Sequence, residues 1–190
     1  MSKLETNTID TISGSTNLTL GGTNATDITI PSGVTITNNG TQSGFGGDNT
    51  PAFSAFLTSS QTLTTNTWTK LSLSDEQWDT NSAFDSTTNY RFTVPSGEGG
   101  KYLFVYAGGT ETLSSSTLAQ VAIYKNGSFL DSTITRSYPN TGTGGYPHKS
   151  IVLNLSAGDY IELFGQHTKG SDCNFDPRYT FLQAQKLIGV

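Results

Sequence analysis

The chain has 190 residues, 21 of them glycine and one methionine, a length that accommodates one domain with a full core plus a smaller appendage. Charged residues make up 13% and the formal net charge is -5, so no basic stripe is available to neutralise phosphates and nucleic acid is not an expected partner. No apolar run approaches the roughly 20 residues that a membrane helix needs, which leaves no expected membrane insertion.

Abundant Thr favours half-buried strands, while Gly and Asn favour tight turns, so the composition is that of an all-β protein. The first twenty residues alternate apolar side chains with Thr, Ser and Asn. A basic start followed by an apolar run is missing there, and no classical export signal is expected. Cys173 is the single cysteine, which excludes an intrachain disulfide framework. Asn-x-Ser/Thr triplets beginning at Asn17, Asn24, Asn39, Asn126 and Asn154 are read as a consequence of composition.

Over the first 40 or so residues, short apolar pairs recur at Ile9/Ile12, Leu18/Leu20, Ile28/Ile30 and Val34/Ile36. Strands this short cannot bury a face alone and need neighbouring chains or a larger scaffold. The segment is either a disordered tail or an ordered stalk, and the period-2 spacing favours the stalk. Residues 39–49 (NGTQSGFGGDN) are Gly-rich and nearly uncharged, as a flexible connection is. The division is therefore a stalk, docking and trimerisation segment over 1–45 and a head domain over 46–190.

From Pro51 onward, strand signals fall at 52–56, 68–73, 90–94, 102–107, 118–124, 129–135, 150–155, 160–166 and 179–187. Asn126-Gly127 between two alternating runs predicts a hairpin, because both residues tolerate the positive φ of a type I′ turn. Tight turns are also expected at 156–159 and 95–100. Eight or more antiparallel strands so spaced predict a jelly-roll sandwich. Successive strands reverse direction, so the long polar connections at 108–117, 138–149 and 167–177 share one end, and the tight turns share the other.

Four segments carry a resemblance. Ala52-Phe53-Ser54-Ala55-Phe56 looks like the opening strand of the tumour necrosis factor and complement-component-one-q superfamily. Tyr90-Arg91-Phe92-Thr93-Val94-Pro95, then Gly100-Lys101-Tyr102-Leu103-Phe104, resembles its phenylalanine-strand, turn, Gly-x-Tyr-x-Phe block. Leu153-Asn154-Leu155-Ser156-Ala157-Gly158-Asp159-Tyr160-Ile161-Glu162-Leu163 is similar to its leucine, turn, Gly-Asp, strand block. Tyr179-Thr180-Phe181 onward stands where the closing strand belongs, with Gln183 and Ala184 in place of the family's Ser-x-Phe-x-Gly.

The resemblance implies a homotrimer whose first, third, sixth and eighth main strands lie nearest the three-fold axis. Phe53, Phe56, Tyr102 and Phe104 are the residues expected at that interface. Tyr102 and Phe104 point the same way on one strand, so they face either another subunit or the space between the sheets. The amino-terminal segment, LETNTIDTISGSTNLTLGG through IPSGVTITNNGT, resembles the shaft or attachment segments of tailed-bacteriophage virion proteins.

Hydrolase signatures Gly-x-Ser-x-Gly and His-Glu-x-x-His do not occur, and Gly100-Lys101 lacks the glycine pattern of a phosphate loop. Asp159 and Glu162, three apart on a strand, point to opposite faces and make poor partners in acid-base work. Asp172-x-Asn174-x-Asp176 begins like a calcium loop but lacks the downstream Gly and Glu. His148, His167 and Cys173 would suit zinc or a thiol nucleophile only if two loops brought them together. No catalytic residue, cofactor or metal is expected.

Tyr138, Tyr146, His148, Phe175 and Arg178, in the long connections, are the expected contact residues, since aromatic and Arg side chains combine large contact area with a polar handle. The functional expectation is a bacteriophage structural protein located in the virion, a trimeric fibre, spike or capsid decoration. Its first segment would join other virion proteins and its head would bind a host glycan or protein. A lectin-like or ligand-like module outside a virion, and a carbohydrate-active enzyme, are the alternatives.

Overall fold

The computed structural model describes Ser32 and residues 49–187 apart from position 115. The expected stalk strands and the 45/46 boundary lie outside the described residues. The chain divides into two units, Met1–Ser43 and Gly44–Val190, and every strand among the described residues belongs to the second.

In chain order the strands are β1 (Ala52–Phe56), β2 (Gln61–Leu63), β3 (Thr69–Lys70), β4 (Asp75–Asp79), β5 (Phe84–Asp85), β6 (Arg91–Thr93), β7 (Gly100–Thr110) and β8 (Thr112–Leu113). They continue as β9 (Ala119–Lys125), β10 (Ser128–Phe129), β11 (Thr135–Ser137), β12 (Thr143–Gly144), β13 (His148–Leu155), β14 (Tyr160–His167) and β15 (Cys173–Lys186). A single 3-10 turn at Asp131–Thr133 is the only helical element among the described residues.

Two antiparallel sheets face each other. The first runs β13-β7-β15-β1-β4, with β2 on β15, and the second runs β10-β9-β14-β6-β5, with β11 on β9 and β3 on β14. The four strands that the resemblance groups together, namely β1, β7, β13 and β15, do share the first sheet. Strand alternation then fills the space between the sheets. From the first sheet come Phe53, Ala55, Tyr102, Phe104, Tyr106, Phe175, Leu182 and Ala184, and from the second Phe92, Val121, Ile123, Ile161 and Leu163. Phe53 stacks on Phe84 and Phe92 with centroids 4.8 and 5.0 Å apart, and each fully buried ring of this kind contributes about 1.5–3 kcal/mol.

This arrangement corrects three of the four residues expected at a subunit interface. Phe53, Tyr102 and Phe104 are fully buried between the sheets of one chain, and only Phe56 lies partly open on the outer face. On β7 both alternating sets are apolar, Tyr102, Phe104 and Tyr106 on one side and Leu103 and Val105 on the other. The larger rings fill the core. Their hydroxyls keep partners: Tyr102 donates to Glu98 O at 2.6 Å and Tyr106 to Thr133 O.

The turns follow their residues. Asn126 and Gly127 have φ of 52° and 75°, and the hairpin closes in the register Lys125 opposite Ser128. In the 156–159 turn Asp159 N donates to Ser156 O at 3.0 Å. The expected strand at 129–135 is interrupted by the 3-10 turn, where buried Thr133 accepts a hydrogen bond from Ile123 N at 2.9 Å and donates to Leu130 O at 2.6 Å. The acidic edge strand β4 has no apolar alternation to announce it, and its charges protect the sheet edge from further pairing.

The long connections gather at one end of the sandwich, as strand reversal requires, and that end is called distal because it lies opposite the tight turns at 126–127 and 156–159. β8 pairs with β12, joining the 108–117 and 138–149 segments. Glu111 N donates to Asn174 O at 2.9 Å, and Glu111 also holds Lys169 at 3.0 Å, which ties in the 167–177 segment. That last segment is mostly strand: β15 begins at Cys173, earlier than expected, because Cys173 to Phe175 pairs with β2.

Candidate functional site

A bulge in β15 builds the distal cleft. Asp176 pairs with Gly109 and Phe181 with Ala107, so the stretch of β15 between these pairs is longer than the stretch of β7 that it faces. The extra length swings Pro177, Arg178 and Tyr179 outward, and Thr180 anchors the return by accepting Gly109 N at 3.2 Å and giving its carbonyl to Leu57 N. A Cβ at Gly109 would lie 2.3 Å from Cβ of Tyr179, so the ring can rest on the strand only because this position has no side chain.

Tyr146 meets Tyr179 edge to face, with centroids 4.9 Å apart. Together with Ala107, His148, Arg178 and Phe181 they line a cleft of about 350 Å³. Arg178 stands 5.4 Å from the centre of the Tyr179 ring and is gripped by Asp176, Nε to Oδ1 at 3.0 Å and Nη2 to Oδ2 at 2.5 Å. The guanidinium holds the Asp176 carboxyl below the usual range. His148 Nδ1 donates to Tyr146 O at 3.2 Å, which fixes the ring at the rim. On the far side of Arg178 a second cleft of about 410 Å³ is lined by Phe56, Leu57, Thr58, Asp75, Gln77 and Pro177.

Of the expected contact residues, Tyr146, His148 and Arg178 converge in the first cleft. Tyr138 is 69% exposed and lines neither cleft. Phe175 is a correction: it is fully buried, because it lies on β15 and its ring fills space that Gly108 and Gly165 leave open, each 2.9 Å from where a Cβ would stand. Tyr179 and Phe181 were not among the expected contact residues. Their alternation about Thr180 is visible in the sequence, but the outward turn of Tyr179 depends on the bulge.

The cleft lining combines three aromatic rings, a guanidinium and an imidazole, with no carboxylate among its lining residues. The other titratable side chains are dispersed. His167 is buried, its Nε2 donating to Leu63 O at 2.9 Å and its Nδ1 accepting from Lys169 N at 3.2 Å. Burial pushes the Cys173 thiol up to about 11, which makes it a poor nucleophile at neutral pH. Asn174 bonds Glu111 and Thr62, and Asp176 is committed to Arg178. Asp159 pairs with Lys125 at 2.7 Å and Glu162 with Lys70 at 3.0 Å, so the two carboxylates serve different ends. Among the described residues no group of three or more His, Cys, Asp or Glu is placed to hold a metal ion.

Two antiparallel sheets in this order form a jelly-roll sandwich, and solved complement and tumour necrosis factor domains share its fold. The chain is similar in structure to the globular domain of zebrafish complement 1qA protein, at 17% identity and a TM-score of 0.51, over 72% of this chain and 97% of that one. It is similar to murine APRIL at 15% identity and a TM-score of 0.53, over 72% and 98%. Eiger TNF from S. frugiperda matches at 13% identity and a TM-score of 0.51, over 72% and 90%. No family model and no curated protein matches the sequence. The likeness is one of fold.

Proposed function

We propose that the chain is a non-enzymatic attachment protein, a homotrimer whose head binds through its distal cleft and whose amino-terminal segment joins it to a virion. The observation that supports binding most is the cleft itself, where Tyr146, just before β13, converges with Arg178, Tyr179 and Phe181 of β15. Aromatic rings beside a guanidinium are the groups that dominate contact energies in recognition sites.

Support for the trimer comes from the outer face of the first sheet. Val105 is 37% and Val152 48% exposed, and Val152 lies directly opposite Leu103 in the β7/β13 register. The Phe56 and Phe181 rings, 5.5 Å apart, extend the apolar face toward the distal end. A second and third copy of the chain would remove it from water. The virion reading rests on the resemblance of the amino-terminal segment to phage shafts.

The test is attachment of the labelled intact chain to host cells. Replacing Tyr146 and Tyr179 with Ala is expected to weaken attachment at least about tenfold with little change in melting temperature. Undiminished attachment by the double variant would remove the cleft from the binding mechanism. The fold's likeness to complement and cytokine heads favours a second reading, a binding module outside any virion. An antibody to the chain that labels virions in electron micrographs decides for the first, and unlabelled virions decide for the second.

A further inference from the structure

A second group of aromatic side chains lies on the opposite sheet. On β9 and β14, Val121, Ile123, Ile161 and Leu163 enter the core, so Tyr124, Glu162 and Phe164 face outward. Tyr124 stacks on Phe164 with centroids 3.8 Å apart and planes at 23°. Phe129, opposite Tyr124 in register, meets it edge-on at 5.5 Å. Trp68, just before β3, leans across both, 5.4 Å from Phe129 and 6.4 Å from Tyr124. The sheet separates these rings from the core, and Phe129 is 39% exposed.

A polar flank adjoins the rings. Lys70 stands opposite Phe164 and Glu162 opposite Tyr124. Lys70 Nζ donates to Glu162 Oε1 and to Asn89 O, each at 3.0 Å. Glu162 is only 6% exposed although it points away from the core. The pair is neutral as a unit, so a charged ligand set beside it would lose hydration without gaining an unpaired countercharge.

We propose that this face binds a neutral pyranose unit of an oligosaccharide, stacked on Trp68 and Phe129 with its hydroxyls toward the partly open Lys70. A pyranose presents one face of C–H bonds, which suits the electron-rich face of an aromatic ring, and a rim of hydroxyls, which needs donors and acceptors at the side. A protein partner would need a patch of roughly 800 Å² on this side. Such an interface draws on roughly 20–30 residues a side, whereas this patch is four rings of which only Phe129 is exposed. The site is separate from the distal cleft and does not depend on it.

The chain has two tryptophans, so Trp78→Phe leaves Trp68 as the sole reporter, and its emission is followed while the full chain is titrated with maltohexaose, cellohexaose or mannohexaose. At least one is expected to give a saturable blue shift below about 10 mM, a range in which weak single-site binding registers. Free N-acetylneuraminic acid, an anionic monosaccharide, is expected to give none. Phe129→Leu keeps an apolar side chain but no ring, and should lower the affinity at least about tenfold at an unchanged melting temperature, whereas Tyr146→Ala should not alter it. No response to any of the three neutral sugars, equal binding by Phe129→Leu, or a response abolished by Tyr146→Ala would overturn the proposal. Tighter binding of N-acetylneuraminic acid would overturn the neutral class.

Discussion

Asp159 and Lys125 join the two hairpin turns at the end opposite the distal cleft: Oδ2 of the aspartate lies 2.7 Å from Nζ of the lysine. The same carboxylate accepts Asn126 Nδ2 and Ser156 N, both at 2.8 Å, and Asn126 Oδ1 accepts Tyr160 N at 2.8 Å. Lys125 first, then Asn126 and Ser156, draw the Asp159 carboxyl down to about 2. Because the folded value lies below the unfolded value of about 3.9, the stabilisation is full above about pH 4 and is lost as pH falls through about 2. Asp159→Ala is expected to lower the melting temperature by about 2–5 °C at pH 7, and the gap to the unaltered chain should close as pH approaches 2. A gap that stays constant from pH 7 to 2 would show that the charged pair contributes nothing.

The core assignment gives a sharp contrast on β7. Phe104→Ala should cost about 3–5 kcal/mol in denaturant unfolding, as emptying a fully buried ring site does. Val105→Thr, one residue along on the outer face, should cost well under that. Equal costs at the two positions would mean that the faces are assigned the wrong way round.

Much of the fold is legible in the sequence because local chemistry admits few alternatives. Asn126-Gly127 reads as a hairpin from the positive φ that it tolerates, and the reversal of successive strands places the long connections at one end without further information. The inward sense of β7 is not legible, since Leu103 and Val105 are as apolar as their neighbours are aromatic and a period of two carries no sign. The 173–177 segment reads as loop because Pro177 and the surrounding polar residues interrupt it. The bulge between Asp176 and Phe181 accommodates that proline while Cys173 and Phe175 alternate inward. Tyr146, His148 and Arg178 can be singled out by residue type and connection, but their meeting with Tyr179 and Phe181 follows from the bulge.

The bulge can be tested at Gly109. Gly109→Ala puts a Cβ 2.3 Å from Cβ of Tyr179, and backbone-bound atoms on both sides leave little room to yield. A destabilisation of about 1–3 kcal/mol is expected, together with loss of the Tyr146/Tyr179 contact seen as altered tyrosine ring resonances. Gly99→Ala, in the tight turn at the opposite end with no atom nearer than 3.4 Å to the added Cβ, should leave the Tyr179 resonances in place. Identical spectra for Gly109→Ala and the unaltered chain would contradict this origin of the cleft.

The functional proposal leans most on the assembly, and sedimentation equilibrium of the intact chain tests it most directly. The unaltered chain is expected to sediment as three copies. Val105→Asp combined with Val152→Asp is expected to sediment as a single folded copy, because charges on a face that would become dry cost several kcal/mol, whereas both residues are open to water in the isolated chain. A stable single copy for the unaltered chain at every concentration would contradict the trimer, and so would a trimer that the two aspartates leave intact.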